Sequence, residues 1–256
     1  MELLSLLFNT FLYRPLINAL VLLYQFIPGN DFGIAVIVLT ILIRFILYPI
    51  SSKGIESQKA LNEIQPKIKE IQNKYKSDKE RQVKEIMNTY KEANISPFSG
   101  FLPLLVQIPV LIALYRVLWV VQTINVGVLY SFVNHPGEIN PMFLGFINLA
   151  KSGLIESNGE SIFLLGNMAI IIGAGITQFI QLKMISAKNP IKKKKGNKEQ
   201  DMAEMMQKQM LYFFPFFTIL ILLKLPSAIA LYWFIGTGFS IIQQYFILKK
   251  YEQRTS

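Results

Sequence analysis

"VLTILIRFILYPI", residues 38–50, is a helix-length apolar run with a single charge inside it, and that charge decides how the chain is read. A guanidinium stays ionised at any reachable pH, and at the centre of a membrane helix it costs about 2.5 to 3.5 kcal/mol even on lenient insertion scales. Arg44 therefore needs compensation from elsewhere in the chain. Snorkelling toward headgroups is one answer, and a hydrated cavity inside a helical bundle is the other.

Working outward, the apolar residues come in long blocks, as in a membrane protein, rather than with the alternation of a soluble one. Five segments have the length needed to cross about 30 Å of hydrocarbon, near residues 32–51, 99–122, 161–184, 206–224 and 227–248. Only "KLPSA" separates the last two, so Pro226 stops one helix and a tight turn starts its antiparallel neighbour. The expected fold is an all-α membrane protein. Residues 1–30 hold an apolar run of only about 13 residues after Arg14 and Pro15, short for a span. An amphipathic helix in the outer interface, with Arg14 among headgroups, is the preferred reading, and an extra spanning helix is the alternative.

Residues 52–96 change character to Lys, Glu and Gln. Leu61, Ile64, Ile68, Ile71 and Tyr75, and then Val83, Ile86, Tyr90 and Ala93, recur at helical spacing, each set giving one narrow seam. Ser77 with Glu80 reads as a capping box between the two arms. An antiparallel helical hairpin projecting from the membrane is expected, kinked or restarted at Pro66. Residues 185–205 form a short basic loop without apolar periodicity.

The net charge of +10 is unevenly spread. About ten basic residues fall in 52–96, about eight between Lys183 and Lys208, and three in the tail, whereas the opposite side keeps only Arg14, Arg116, Lys151 and Lys224. That asymmetry puts hairpin, basic loop and C-terminus in the cytoplasm and the N-terminus outside. The lysines serve orientation and anionic lipid in one reading, and a ribosome or its RNA in another.

None of the five segments contains Asp or Glu, so Arg44 has no intramembrane carboxylate partner. Uncharged polar residues remain: Thr40 one turn before Arg44, Gln107, Thr177, Gln178, Gln181, Thr237, Ser240, Gln243 and Gln244. Converging on Arg44 they would line the hydrated cavity; singly, each glutamine serves as an ordinary interhelical hydrogen bond. The second and fourth segments are by contrast greasy and interrupted by Pro103, Pro109 and Pro215, a surface able to accept a passing apolar helix.

"LYRPL", "LTILIRFILYPIS", "IQPKIKEIQNKYKSD", "ISPFSGFLPLLVQIPVLIALYRVL", "FFPFF" and "LPSAIALYWFIGTGFSIIQQ", in that order, resemble the bacterial YidC family of membrane protein insertases, with its mitochondrial and chloroplast relatives. The resemblance implies an insertase core over 31–256, with five helices around a hydrophilic groove open to the cytoplasm. Arg44, Gln178 and Trp233, with Tyr232 adjacent, match groove positions. Leu105, Ile108 and Ile112 with Phe213, Phe217 and Leu220 correspond to the slide for incoming helices. Implied partners are nascent membrane proteins, the Sec translocon, the ribosome, the signal-recognition targeting machinery and anionic lipids, in a bacterial cell membrane. Two departures stand beside it: the large periplasmic domain and first signal-anchor helix of many Gram-negative members have no counterpart in these 256 residues, and the lipobox cysteine of many Gram-positive ones is absent.

Other function classes fare worse. No cysteine is present, which removes disulfides, thiolate metal sites and a cysteine nucleophile, and His135 in the turn-like "NHPGE" is the only histidine. With no acid in a segment there is no nucleophile and base for an intramembrane enzyme. No GxxxxGK[ST] motif occurs, and "GTG" at 236–238 lies inside a segment, so neither nucleotide, metal nor other cofactor is expected. A secondary transporter binding an anionic solute at Arg44 is the rival, weakened by the missing coupling carboxylates, the lack of an internal repeat and the long hairpin.

Overall fold

A computed structural model describes residues 2–93, 96, 102–120, 126–157, 160–185 and 211–255. Its helices are α1 (Glu2–Phe8), α2 (Arg14–Phe26), α3 (Phe32–Ile46), α4 (Tyr48–Lys74), α5 (Lys79–Glu92), α6 (Leu102–Val120), α7 (Leu165–Ile185), α8 (Leu211–Leu222) and α9 (Ser227–Thr255). Two small antiparallel hairpins, β1 (Met142–Phe143) with β2 (Ile147–Asn148) and β3 (Leu154–Ser157) with β4 (Glu160–Phe163), sit in the long connection before α7. The protein is thus mostly helical, and among the described residues two helices are long and apolar enough to cross a membrane, or three if the bent pair of α3 and α4 is one span. The expected basic loop over 185–205 lies outside the described residues beyond Ile185, as do 99–101, 121–122 and 206–210 of the expected second and fourth segments.

α1 and α2 are joined by a π-helical stretch, Asn9–Tyr13. Pro15 has no N–H for an ordinary helical bond, and the wider turn before it absorbs the mismatch. The result, Ser5–Phe26, is long and apolar enough to cross a membrane, as is α7. One face of α2 packs into the core through Ile17, Leu20, Val21 and Tyr24, meeting Phe32, Ala35, Val36 and Leu39 of α3.

The expected 32–51 segment is shorter than its composition suggested. α3 ends at Ile46, and α4 leaves at 66°. Pro49 is responsible: it cannot donate to the carbonyl of Phe45, and its ring would collide with it. The expected third segment also begins late. Ile162 and Phe163 belong to β4, paired with Ile155 and Leu154, and the Leu164 amide donates to Gly153 O before α7 starts.

α4 and α5 pack against each other as a helical hairpin, tied by Lys67 to Glu92 at 2.8 Å, and α4 runs through Pro66 without restarting. Two details differ. The cap of α5 is Asp78, not Ser77: its carboxylate accepts from the Arg81 amide at 3.0 Å. The seam of α5 is turned by one residue, with Gln82 and Thr89 buried and Val83 60 % exposed. Gln82 takes the inner place because its Nε2 donates to Gln72 O at 2.7 Å, closing the carbonyl end of α4.

Candidate functional site

Polar residues of α9 recur at 233, 237, 240 and 244, a spacing that puts them on one face of the helix. That face, with α3, α4, α6 and α7, walls a cavity of about 290 Å³. Arg44 enters from α3, Gln107 from α6, Gln178 and Gln181 from α7, and Tyr232 and Trp233 from α9. Six of the seven residues expected in a groove therefore share one chamber. Thr40 does not: it is buried at 1 % exposure, and its hydroxyl donates to Val36 O at 2.6 Å within its own helix.

The wall is held by side chains bonding across helices. Trp233 Nε1 donates to Gln178 Oε1 at 3.2 Å, Gln107 Nε2 to the Tyr232 hydroxyl at 2.6 Å, and Thr177 and Thr237 share a hydroxyl contact at 2.6 Å. At the hairpin end, Gln243 Nε2 donates to Ser51 Oγ at 2.9 Å, Ser52 Oγ at 3.1 Å and Tyr48 O at 3.2 Å, fixing α4 to α9 just beyond the bend. Ser51 and Gln58 line the chamber too, and no sequence signal distinguished them from the charged hairpin that follows.

Among the described residues Arg44 is the one charged group lining it, and its Nε is buried without a hydrogen-bond partner. The guanidinium lies against Gly236, where a Cβ would come within 2.6 Å of Nη2 and 3.2 Å of Cζ. No sequence signal marks this close approach, since it exists only once α3 lies on α9. A cationic group that no described carboxylate pairs, in a chamber lined by glutamines, is suited to attracting acidic or carbonyl groups from outside the protein.

A second cavity of about 290 Å³ opens between α6, α8 and the start of α9 and is almost wholly apolar. Ile112 lines it, and Trp233 lines both cavities. Ile108, Phe213, Phe217 and Leu220 are 43–50 % exposed on the surfaces of α6 and α8, with Phe213 and Phe217 stacked at 5.5 Å. The Leu105 side chain lies outside the described residues.

The family described as 60Kd inner membrane protein matches residues 22–254. Proteins named membrane protein insertase YidC from Rickettsia conorii (strain ATCC VR-613 / Malish 7) and Syntrophobacter fumaroxidans (strain DSM 10017 / MPOB) are each 30% identical, over 92% and 93% of this chain. The chain spans 38% of the length of either relative.

Proposed function

The chain belongs to the 60Kd inner membrane protein family, and from that premise we propose that it is a membrane protein insertase and chaperone working without nucleotide, alone or beside the Sec translocon. The observation that carries this reading is Arg44, whose Nε has no partner, in a chamber that glutamines from α4, α6, α7 and α9 line and where no described residue offers it a carboxylate. In this reading α3, α6, α7, α8 and α9 are five spans around a groove open to the cytoplasm, with α4 and α5 as the cytoplasmic hairpin and the C-terminus on the same side. Residues 1–30 lie along the outer interface, and the N-terminus is outside; the Arg14 guanidinium, 5.0 Å from the Tyr130 ring at the end away from the hairpin, supports that placement.

The chamber shortens the apolar barrier that a client's hydrophilic segment must cross, and Arg44 draws in its acidic or carbonyl groups. No covalent step is involved. The attached apolar segment leaves past Trp233 along α6 and α8, driven by roughly 25 cal/mol for each Å² of apolar surface removed from water. Clients are nascent membrane proteins, delivered by ribosome and targeting machinery to the basic hairpin, which also meets anionic lipid.

The test is reconstitution into liposomes without ATP or Sec components, scoring protease protection of a small single-spanning client with an acidic N-terminal segment. Wild type and Arg44→Lys are expected to insert it and Arg44→Ala to fail. Equal insertion by Lys and Ala variants sinks the electrostatic role, and insertion by none turns the reading toward a Sec-assisting chaperone.

A further inference from the structure

The β1–β2 hairpin is fastened to the outer ends of two helices through their second residues. A Cβ on Gly33 of α3 would run into the Phe143 ring, and one on Gly166 of α7 would come within 2.7 Å of Ile147 Cγ1. Phe143 and Ile147 are themselves a cross-strand pair, so the inner face of the hairpin is one patch pressed onto both helix starts. The turn is pinned again from α3: Asp31, whose Oδ1 caps that helix by accepting from the Ile34 amide, takes the Leu144 amide on Oδ2 at 2.6 Å.

What the turn displays does not suit water. Leu144 is 56 % exposed and Phe146 70 % exposed, while Leu165, next in the chain to Gly166, is 88 % exposed. Leu144 also has φ +53, a left-handed conformation that glycine or asparagine adopts far more readily. A turn serving only to reverse the chain would carry one of those residues. Here a strained backbone is kept in order to hold out a large apolar side chain.

We propose that the turn Phe143–Phe146 is a lipid anchor, inserting Leu144 and Phe146 into the glycerol and upper acyl zone of the leaflet on the side away from the α4–α5 hairpin. Its height is set by the two helix starts: they open on Phe32 and Leu165 and lead into apolar helices, so a loop pressed onto them lies at the membrane boundary. The anchor goes beyond the insertase reading and rests only on α3 and α7 being membrane helices. It fixes the depth of the 126–157 connection and, through Gly33 and Gly166, the relative height of α3 and α7.

The chain has no cysteine, so single-cysteine variants of the full protein carry a nitroxide at one defined place. Labels on Leu144→Cys and Phe146→Cys, in phosphatidylethanolamine–phosphatidylglycerol vesicles, are compared with one on Glu138→Cys, an exposed position of the same connection. Collision rates with oxygen, which partitions into lipid, and with a water-soluble nickel complex report depth. Positions 144 and 146 are expected to favour oxygen severalfold more than 138 does. Nickel access at 146 equal to that at 138 overturns the anchor, and so does a label shielded from both reagents, which would place the turn against protein. Phe146 makes none of the seating contacts, so its replacement leaves the hairpin packed.

Discussion

At Gly236 a methyl group would come within 2.6 Å of Arg44 Nη2, and the obstructed atom is the far end of a flexible side chain, so the arginine rather than the helix would give way. Gly236→Ala therefore separates stability from function. Replacing a mid-helix glycine favours the helix by up to about 1 kcal/mol, while the displaced guanidinium no longer sits in the chamber. The expected outcome is an unchanged or raised thermal midpoint with insertion lowered roughly tenfold, the equivalent of about 1.4 kcal/mol, measured on the same reconstituted samples. A lowered midpoint instead would mean that the glycine serves packing. Arg44 itself was legible because a charge in an apolar run has no other ready explanation. Gly236 was not, because its role exists only once α3 lies on α9. Thr40 shows the opposite error: four residues from Arg44, it shares a face with it, yet a hydroxyl in an apolar helix can always bond its own preceding turn, and this one does.

Elements were readable by period and less so by phase or ending. Both hairpin arms have the expected helical repeat, but α5 turns Gln82 inward and Val83 outward, because an amide able to close Gln72 O outweighs the burial of one valine. The two readings predict opposite mutants. Gln82→Ala leaves that carbonyl without its partner and is expected to lower the opening free energy of α4 and α5 by about 1 kcal/mol; Val83→Ser, on the exposed face, stays within about 0.5 kcal/mol. Hydrogen exchange of the α5 amides in the full protein measures both, and the reverse order would restore the valine seam. Helix ends follow the same rule: Pro49 cuts the first segment short at Ile46, a stop that hydropathy averaging passes over although the residue is plain in the sequence.

On the scale of the whole molecule the order of apolar helices and the charged hairpin were visible in the sequence, whereas the long connection between α6 and α7 was not. It lacks a strong period, and what holds it is side-chain bonding to its backbone. Asn18, 2 % exposed, gives Nδ2 to Val128 O at 3.1 Å and takes the Tyr130 amide on Oδ1 at 2.7 Å. At the other end Asn167, 3 % exposed, gives Nδ2 to Asn148 O at 2.8 Å and to Ser227 Oγ at 2.8 Å, while the amides of Ser227 and Ala228 at the start of α9 bond Lys151 O and Leu149 O. The end of the bundle away from the hairpin is thus tied together by hydrogen bonds from two buried asparagines. Removing one of them leaves a partly buried carbonyl or amide without its partner, at a cost of about 1 to 3 kcal/mol. Asn18→Ala and Asn167→Ala are each expected to lose exchange protection across 126–150 while the α4–α5 amides keep theirs, and the double variant to leak small ions through proteoliposomes that wild type keeps tight. The two sites lie at opposite ends of the connection and share no partner, so their stability losses should add within about 0.5 kcal/mol. A uniform loss of protection that includes the hairpin would mean instead that the two asparagines hold the bundle together rather than close one end of it.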